Sequence, residues 1–459
     1  MRSAAVSRGA GVYLAVVVAV VGGLLLGACA PAAPASAPTG ASKPAAGAAP
    51  AGGAAAPAGG AGAAPAQQLS GTPIKVGVLD DITGVGAIEG ALLRISTDLV
   101  VDQTNSSGGI GGHPLQVVYV DPKGDATQAL QLGTQLAQQD NVDALAGGIF
   151  SPECLGLQQL APKVGLVYTP LNGCANEQFS TQSCDRYSFR AFPAGRQLDD
   201  PLVAYEVKSF GKNWAIIYPD YVLGQSALAT ATAALQRNGT DFSAKIAVPL
   251  GEANVTPYVS KIPTDGSIDV LQVSQTGSDL ARVMSVIQQF GINKKVKIVT
   301  ALGKESFAGV YPDAMDGAII RGVRPSDGMP NDPNDAAFAA AWKAMAQKDA
   351  DIAGPLGGPD KATPGNNNGY NAYGSMKALV LAMRAANFTG KADTDKLIAA
   401  FETLNVPPGP DLPSGLVMNK ADHQGKWTTH LLQINGQKED ILTTFPADQL
   451  PAIGDCKVS

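Results

Sequence analysis

Charge and aromatic rings are scarce in this chain of 459 residues: 16% are charged and 6% aromatic. Three histidines leave little room for a multi-histidine metal centre. A basic excess is also lacking. Lys plus Arg number 33 against 39 for Asp plus Glu, a net charge of −6, which argues against a nucleic-acid binder with its usual basic stripe. GxSxG, P-loop, HExxH and GxGxxG patterns are missing, and no CxxC or Cys/His spacing suggests zinc. Asp327, Asp332 and Asp335 lack EF-hand spacing and read as a solvated acidic loop. His113 lies in a turn, and His423 and His430 flank a C-terminal strand without an evident catalytic partner. These absences predict no catalytic residue, no metal and no cofactor.

An uncharged run from Gly9 to Ala28 follows Arg2 and Arg8, in the layout of a secretory signal. A run of about 20 apolar residues could also span a bilayer as a permanent anchor. Leu26-Gly27-Ala28-Cys29 resembles the bacterial lipobox. That resemblance implies a signal peptide over residues 1–28 and a diacylglyceryl group on Cys29, enough to hold a protein at a membrane surface. From Ala30 to Ala66 every residue is Ala, Pro or Gly except Ser36, Thr39, Ser42 and Lys43. Such a stretch has nothing to bury and reads as a semi-flexible tether over 29–71. The folded part is expected to begin near Thr72.

The remainder alternates strand and helix signals. Apolar, β-branched runs at Ile74–Leu79, Leu115–Val120, Ala144–Ile149, Leu166–Thr169, Ala215–Tyr218, Lys245–Val248, Val270–Val273, Lys297–Thr300 and Ala318–Gly322 suit buried strands. Helical patterns fall between them, at Gly86–Asn105, Ala126–Gln139, Asp199–Ser209, Gln225–Asn238, Ser278–Phe290 and Asn334–Lys348. A βαβα order implies an α/β fold of doubly wound parallel sheets. Two sheets fit the length better than one, and the pattern restarts near Arg190–Arg196, a crossing between lobes.

Doubly wound sheets bind ligands at the carboxyl ends of their strands, beside helix N-termini. Gly147 to Glu153 ends a strand, with Ser151 as an expected helix cap and Pro152 suiting the first helical position. Its amides and the Ser151 hydroxyl could hold a carboxylate, or Ser151 merely caps its own helix. Asn172-Gly173-Cys174 follows the neighbouring strand. In the second half, Tyr221 and the pair Gln275-Thr276 occupy equivalent places, each equally readable as an ordinary loop residue.

The order of lipobox, tether, Ile74–Leu79, Thr83-Gly84, Asn105 through Gly112 and Val118 through Asp121 resembles the type I periplasmic binding proteins. More narrowly, it is similar to their branched-chain amino acid subgroup, which serves ABC importers. Gly108-Gly109-Ile110-Gly111-Gly112-His113-Pro114-Leu115 is the most specific piece, with Asn371-Ala372-Tyr373 as weaker support. The resemblance implies two lobes joined by a three-segment hinge: residues 72–193 with 324–424, and 194–323 with 425–459. It also implies no enzyme, but a receptor that traps a small amino acid or related carboxylate or amide and delivers it to a permease and ATPase complex. The ligand carboxylate would meet Ser151 and the Gly173–Cys174 backbone, with Asn172 beside them; Tyr221, Gln275 and Thr276 would close from the other lobe.

Two departures stand out. After Lys297–Thr300, where amino acid binders place a carboxylate for the ammonium group, this chain has Ala301-Leu302-Gly303; where the family has an aromatic, it has Glu89. Glu89 either takes over the ammonium or is a solvated carboxylate at a helix start. Otherwise the ligand has no ammonium. Among the remaining cysteines, the resemblance favours Cys154–Cys174 and Cys184–Cys456, with Cys174–Cys184 as the rival pairing. A ligand sensor coupled to a signalling partner is the alternative reading of the same fold, and a secreted α/β hydrolase a third. The location implied is extracytoplasmic and lipid-anchored.

Overall fold

The computed structural model describes residues 69–175 and 184–452. The signal segment, Cys29 and most of the tether lie outside the described residues, as does Cys456. The fold starts slightly before Thr72, because the amides of Ser70 and Gly71 already donate to the Gly112 carbonyl.

The first sheet is four parallel strands in the order β2-β1-β3-β4: β1 (Ile74–Leu79), β2 (Leu115–Val120), β3 (Ala144–Gly147) and β4 (Tyr168–Thr169). Its apolar residues alternate between two cores with the period of two that a pleated strand imposes. Val76, Val78, Ala144 and Ala146 face a core shared with α1 (Ala87–Ser106) and, from later in the chain, α8 (Pro333–Lys348), α9 (Asn368–Ala385) and α10 (Thr394–Glu402). Leu79 and Leu145 face the other side, against α2 (Ala126–Gln138) and α3 (Ser151–Val164).

The second sheet has seven strands in the order β14-β13-β9-β8-β7-β5-β6. Its parallel part is β5 (Trp214–Pro219), β6 (Phe242–Val248), β7 (Val270–Val273), β8 (Lys297–Thr300) and β9 (Ile319–Gly322). Ala215, Ile217, Leu271 and Val273 pack under α7 (Gly277–Gln289), with the short α6 (Thr256–Val259) alongside. Trp214, Ile216 and Val270 pack under α4 (Gly195–Phe210) and α5 (Val222–Arg237).

Parallel pairing is not universal. After a small antiparallel sheet, β10 (Asn405–Val406), β11 (Leu416–Asn419) and β12 (Gln424–Lys426), the chain adds an antiparallel hairpin, β13 (Thr429–Asn435) and β14 (Lys438–Phe445), to the edge of the second sheet. Asn435 pairs with Lys438 across a two-residue turn in which Gly436 has φ 61°. Such a turn returns the strand beside itself without a crossover helix.

The passages between sheets are pinned by buried polar groups. Arg190 donates from Nε to Gln424 Oε1 at 2.5 Å, and Gln424 Nε2 donates to the Phe192 carbonyl at 2.6 Å. In the passage after β9, Arg324 meets Asp335 and Asn366 Nδ2 donates to the Arg324 carbonyl. The acidic loop is therefore not simply solvated. Asp335 pairs with Arg324, Asp327 with Lys304, and Asp332 caps α8 by accepting from the Asn334 and Asp335 amides.

Candidate functional site

The carboxyl ends of both parallel sheets face one cavity of about 530 Å³. On the first-lobe side the turn after β3 carries Ile149 and Phe150. Phe150, not Ser151, is the residue preceding the first turn of α3. Glu153 explains the shift by one position. Its carboxylate Oε2 accepts from the amides of Ile149 (3.1 Å) and Phe150 (3.0 Å), which places a glutamate at the third helical position and caps the helix by its side chain. Ser151 is fully buried, and its hydroxyl accepts from the Ala175 amide at 3.1 Å.

Next to it, Asn172, Gly173 and Cys174 follow β4. Gly173 has φ 64°, and a β-carbon there would stand 2.0 Å from the Ile149 carbonyl oxygen, so only glycine lets the two loops touch. Cys174 also has positive φ, 65°, which is uncommon outside glycine. A disulfide from Cys174 to Cys154 holds this loop against α3, with 5.8 Å between the α-carbons. Of the two pairings considered for Cys174, this is the one formed. Cys184 is disulfide-bonded as well, and its expected partner Cys456 lies outside the described residues.

From the second lobe, Tyr221 precedes α5 and meets Phe150 edge to face, with ring centroids 6.5 Å apart. Ser274, Gln275 and Thr276 end β7 and lead into α7. Gln275 is 3% exposed, and neither Nε2 nor Oε1 has a hydrogen-bond partner. An unpaired buried amide costs about 1–3 kcal/mol, which makes Gln275 a group waiting for a polar contact. Gly277 has φ 43°, and a β-carbon there would lie 2.9 Å from Glu89 Oε1. The carboxylate of the first lobe thus rests against the α7 backbone of the second.

Glu89 is buried rather than solvated. Burial pushes its carboxyl up to about 7, helped by the negative charges of Glu305, Asp279 and Asp81. Burial and the neighbouring Glu89 also push the Tyr221 phenol up, so it stays neutral. Behind the wall, burial and the neighbouring Asp81 push Glu153 up to about 8. Among the described residues, Arg282 is the one cation in the cavity lining. It is paired with Asp279 and also donates to the Ser278 hydroxyl (3.1 Å) and the Glu252 carbonyl (3.2 Å).

Of the eight residues expected at the site, Glu89, Asn172, Gly173, Tyr221, Gln275 and Thr276 line the cavity together. Ser151 and Cys174 do not. Ser151 lies behind the wall, and Cys174 borders a smaller adjoining cavity of about 130 Å³ that also touches Asp199, Gln272 and Arg321. Sequence reasoning missed Asp279 and Arg282. Their spacing of three on a helix was the available signal, but it reads equally as a solvated face. Among the described residues no group of three or more His, Cys, Asp or Glu is placed to hold a metal. His423 stacks on Phe189 and His430 meets Thr444, away from the cavity.

Two facing α/β sheets with a cavity at their strand ends match a known family model, described as periplasmic binding protein, over residues 73–439. The chain belongs to the periplasmic binding protein family. Members of this family are solute-binding proteins rather than enzymes. The chain is 24% identical over 205 residues to a Leu/Ile/Val-binding protein homologue from Brucella abortus, covering 44% of this chain and 51% of that relative. It thus spans about half the length of the curated relatives it matches. Among solved structures, a solute-binding protein of an ABC transporter from Rhodopseudomonas palustris, in complex with 3,4-dihydroxybenzoic acid, superposes with a TM-score of 0.70 at 18% identity. That match covers 83% of this chain and 99% of the other. A leucine-, isoleucine-, valine-, threonine- and alanine-binding protein from Brucella ovis gives 0.69 at 18% identity, over 84% and 99%. No helix among the described residues is long and apolar enough to cross a membrane.

Proposed function

We propose that this periplasmic binding protein is the solute-capturing component of an ABC importer. It closes its two lobes on a small organic molecule and hands that molecule to a permease and ATPase complex. The observation that carries the reading is the cavity itself: one compartment of about 530 Å³ walled by both lobes, in which the Gln275 amide has no hydrogen-bond partner and the Glu89 carboxyl has no cation beside it. A fold of this kind grips by population shift, because a solute touching both lobes binds the closed arrangement more tightly than the open one. The hinge would be the three passages near residues 193, 323 and 424. Membership of the family supports an extracytoplasmic location. Cys29 would carry the lipid anchor and the Ala/Pro/Gly tether would give the lobes reach.

Relatives and structural neighbours named for aliphatic amino acids and for an aromatic acid supply the first compounds to try. The test combines two measurements. The purified chain, denatured and refolded to strip any bound solute, is titrated calorimetrically against amino acids, amines, aromatic acids and short amides; uptake of the binding solute is then compared between cells with and without the chain. Binding together with chain-dependent uptake is expected. Binding without any effect on uptake would point to a sensor coupled to a signalling partner, and silence across the panel would overturn the receptor reading.

A further inference from the structure

The cavity has an unpaired acid for a positive charge and, among the described residues, no unpaired cation for a negative one. Glu89 supplies the first half of this asymmetry. It is an acidic side chain at the cavity wall with no cation beside it, surrounded instead by the like charges of Glu305, Asp279 and Asp81. The second half comes from what the donors already do. Arg282 is committed to Asp279, Ser278 and Glu252, and Lys304, nearby in the second lobe, is committed to Asp327. The amides of Ile149 and Phe150 donate to Glu153, an internal carboxylate. The Ser151 hydroxyl is buried behind them and holds the Ala175 amide. A carboxylate entering this cavity would join several buried acids without gaining a free cation, and burying an uncompensated charge is strongly unfavourable.

The rest of the wall describes the body of the occupant. Ile149, Leu223, Leu250 and Leu302 are apolar, and Phe150 and Tyr221 present an aromatic corner. Gln275 offers an amide nitrogen that donates and an oxygen that accepts, both unpaired, which suits a neutral hydroxyl or amide.

We propose that the solute is a protonated amine with an aromatic or branched apolar body and without a carboxylate, its ammonium group seated on Glu89. This rests on the receptor reading above and narrows it. The ammonium would complete an ion pair that the ligand-free protein lacks. The body would fill the space between Phe150, Tyr221 and the leucines, and a hydroxyl or amide would satisfy Gln275.

The test uses two matched triads, each an amine, its amino acid and its acid: tyramine, tyrosine and 3-(4-hydroxyphenyl)propanoate; 3-methylbutylamine, leucine and 4-methylpentanoate. Each is titrated calorimetrically into the purified, refolded chain and into Glu89→Gln, with the variant's melting curve recorded to show that it folds. The proposal expects the amine to bind at least tenfold tighter than its amino acid in at least one triad. The acid should show no binding, and Glu89→Gln should weaken the amine by thirtyfold or more. An acid or amino acid that binds the native chain as tightly as its amine would overturn the proposal and leave the receptor reading standing. So would binding of other panel solutes with all six compounds silent. Silence across the whole panel would overturn both.

Discussion

Replacing Glu89 by glutamine should stabilise the ligand-free protein at high pH and slightly destabilise it at low pH. The carboxyl has an ordinary value of 4.5 and is pushed up to about 7 by burial, so the folded protein holds its proton more tightly than the unfolded chain does. Stability linked to that proton is fully present below 4.5 and lost as the pH rises through 7. At roughly 1.4 kcal/mol per tenfold change in proton affinity, full ionisation costs the native protein roughly 3 kcal/mol. Most of that loss falls between pH 5 and 8.5, about 2–3 kcal/mol. Glutamine does not titrate, but its buried amide lacks a partner, which costs about 1 kcal/mol at any pH. The variant should therefore be about 1 kcal/mol less stable than native at pH 5 and about 1–2 kcal/mol more stable at pH 8.5. Urea unfolding followed by circular dichroism at the two pH values, on protein refolded free of solute, measures both differences. An unchanged difference between pH 5 and pH 8.5 would refute the claim that Glu89 is a buried carboxylate without a protein counter-ion.

Three further outcomes are expected. Glu89, Asp80, Glu153 and Glu305 are all pushed up, to about 7, 7, 8 and 7, mainly by burial. The melting temperature of the ligand-free protein, followed by scanning calorimetry, should therefore fall as pH rises from 5 to 8, against a smaller opposing effect from the depressed His423 and His430. A rising melting temperature would contradict this. Gly277→Ala puts a methyl group at φ 43° and 2.9 Å from Glu89 Oε1; solute affinity should drop at least tenfold by calorimetry, while stability falls by only about 1 kcal/mol. Replacing Cys154 and Cys174 by serine opens a link between residues 20 apart in sequence; urea unfolding should show a loss of roughly 3 kcal/mol, and an undiminished stability would argue against the bridge.

Much of the scaffold was legible because buried parallel strands leave continuous apolar runs. Val270–Val273 and Lys297–Thr300 occupy the expected residues, and α8 starts within one residue of its expected beginning. The C-terminal hairpin was harder to see: β14 is half-exposed and carries Lys438, Glu439 and Asp440, so no apolar run marks it. At the site, loop positions after strands could be located from the alternation alone, and Tyr221, Gln275 and Thr276 line the cavity. The side-chain chemistry could not be read so directly. Ser151-Pro152-Glu153 looks like a serine cap followed by proline, yet Glu153 takes the amides and Ser151 turns inward. Asp81, which shares the buried surroundings of Glu153, lies some 70 positions earlier in the chain. The acidity around Glu89 likewise comes from Asp81, Asp279 and Glu305, three separate segments that only the tertiary fold brings together.

Hydrogen–deuterium exchange on the refolded chain, with and without the tightest-binding solute, tests the central claim most directly. If both lobes grip one solute in the shared cavity, the loops Gly147–Ser151 and Asn172–Ala175 of the first lobe must gain protection together with Tyr221–Gln225 and Ser274–Asp279 of the second. Protection confined to one lobe, or appearing only away from these four segments, would contradict the account.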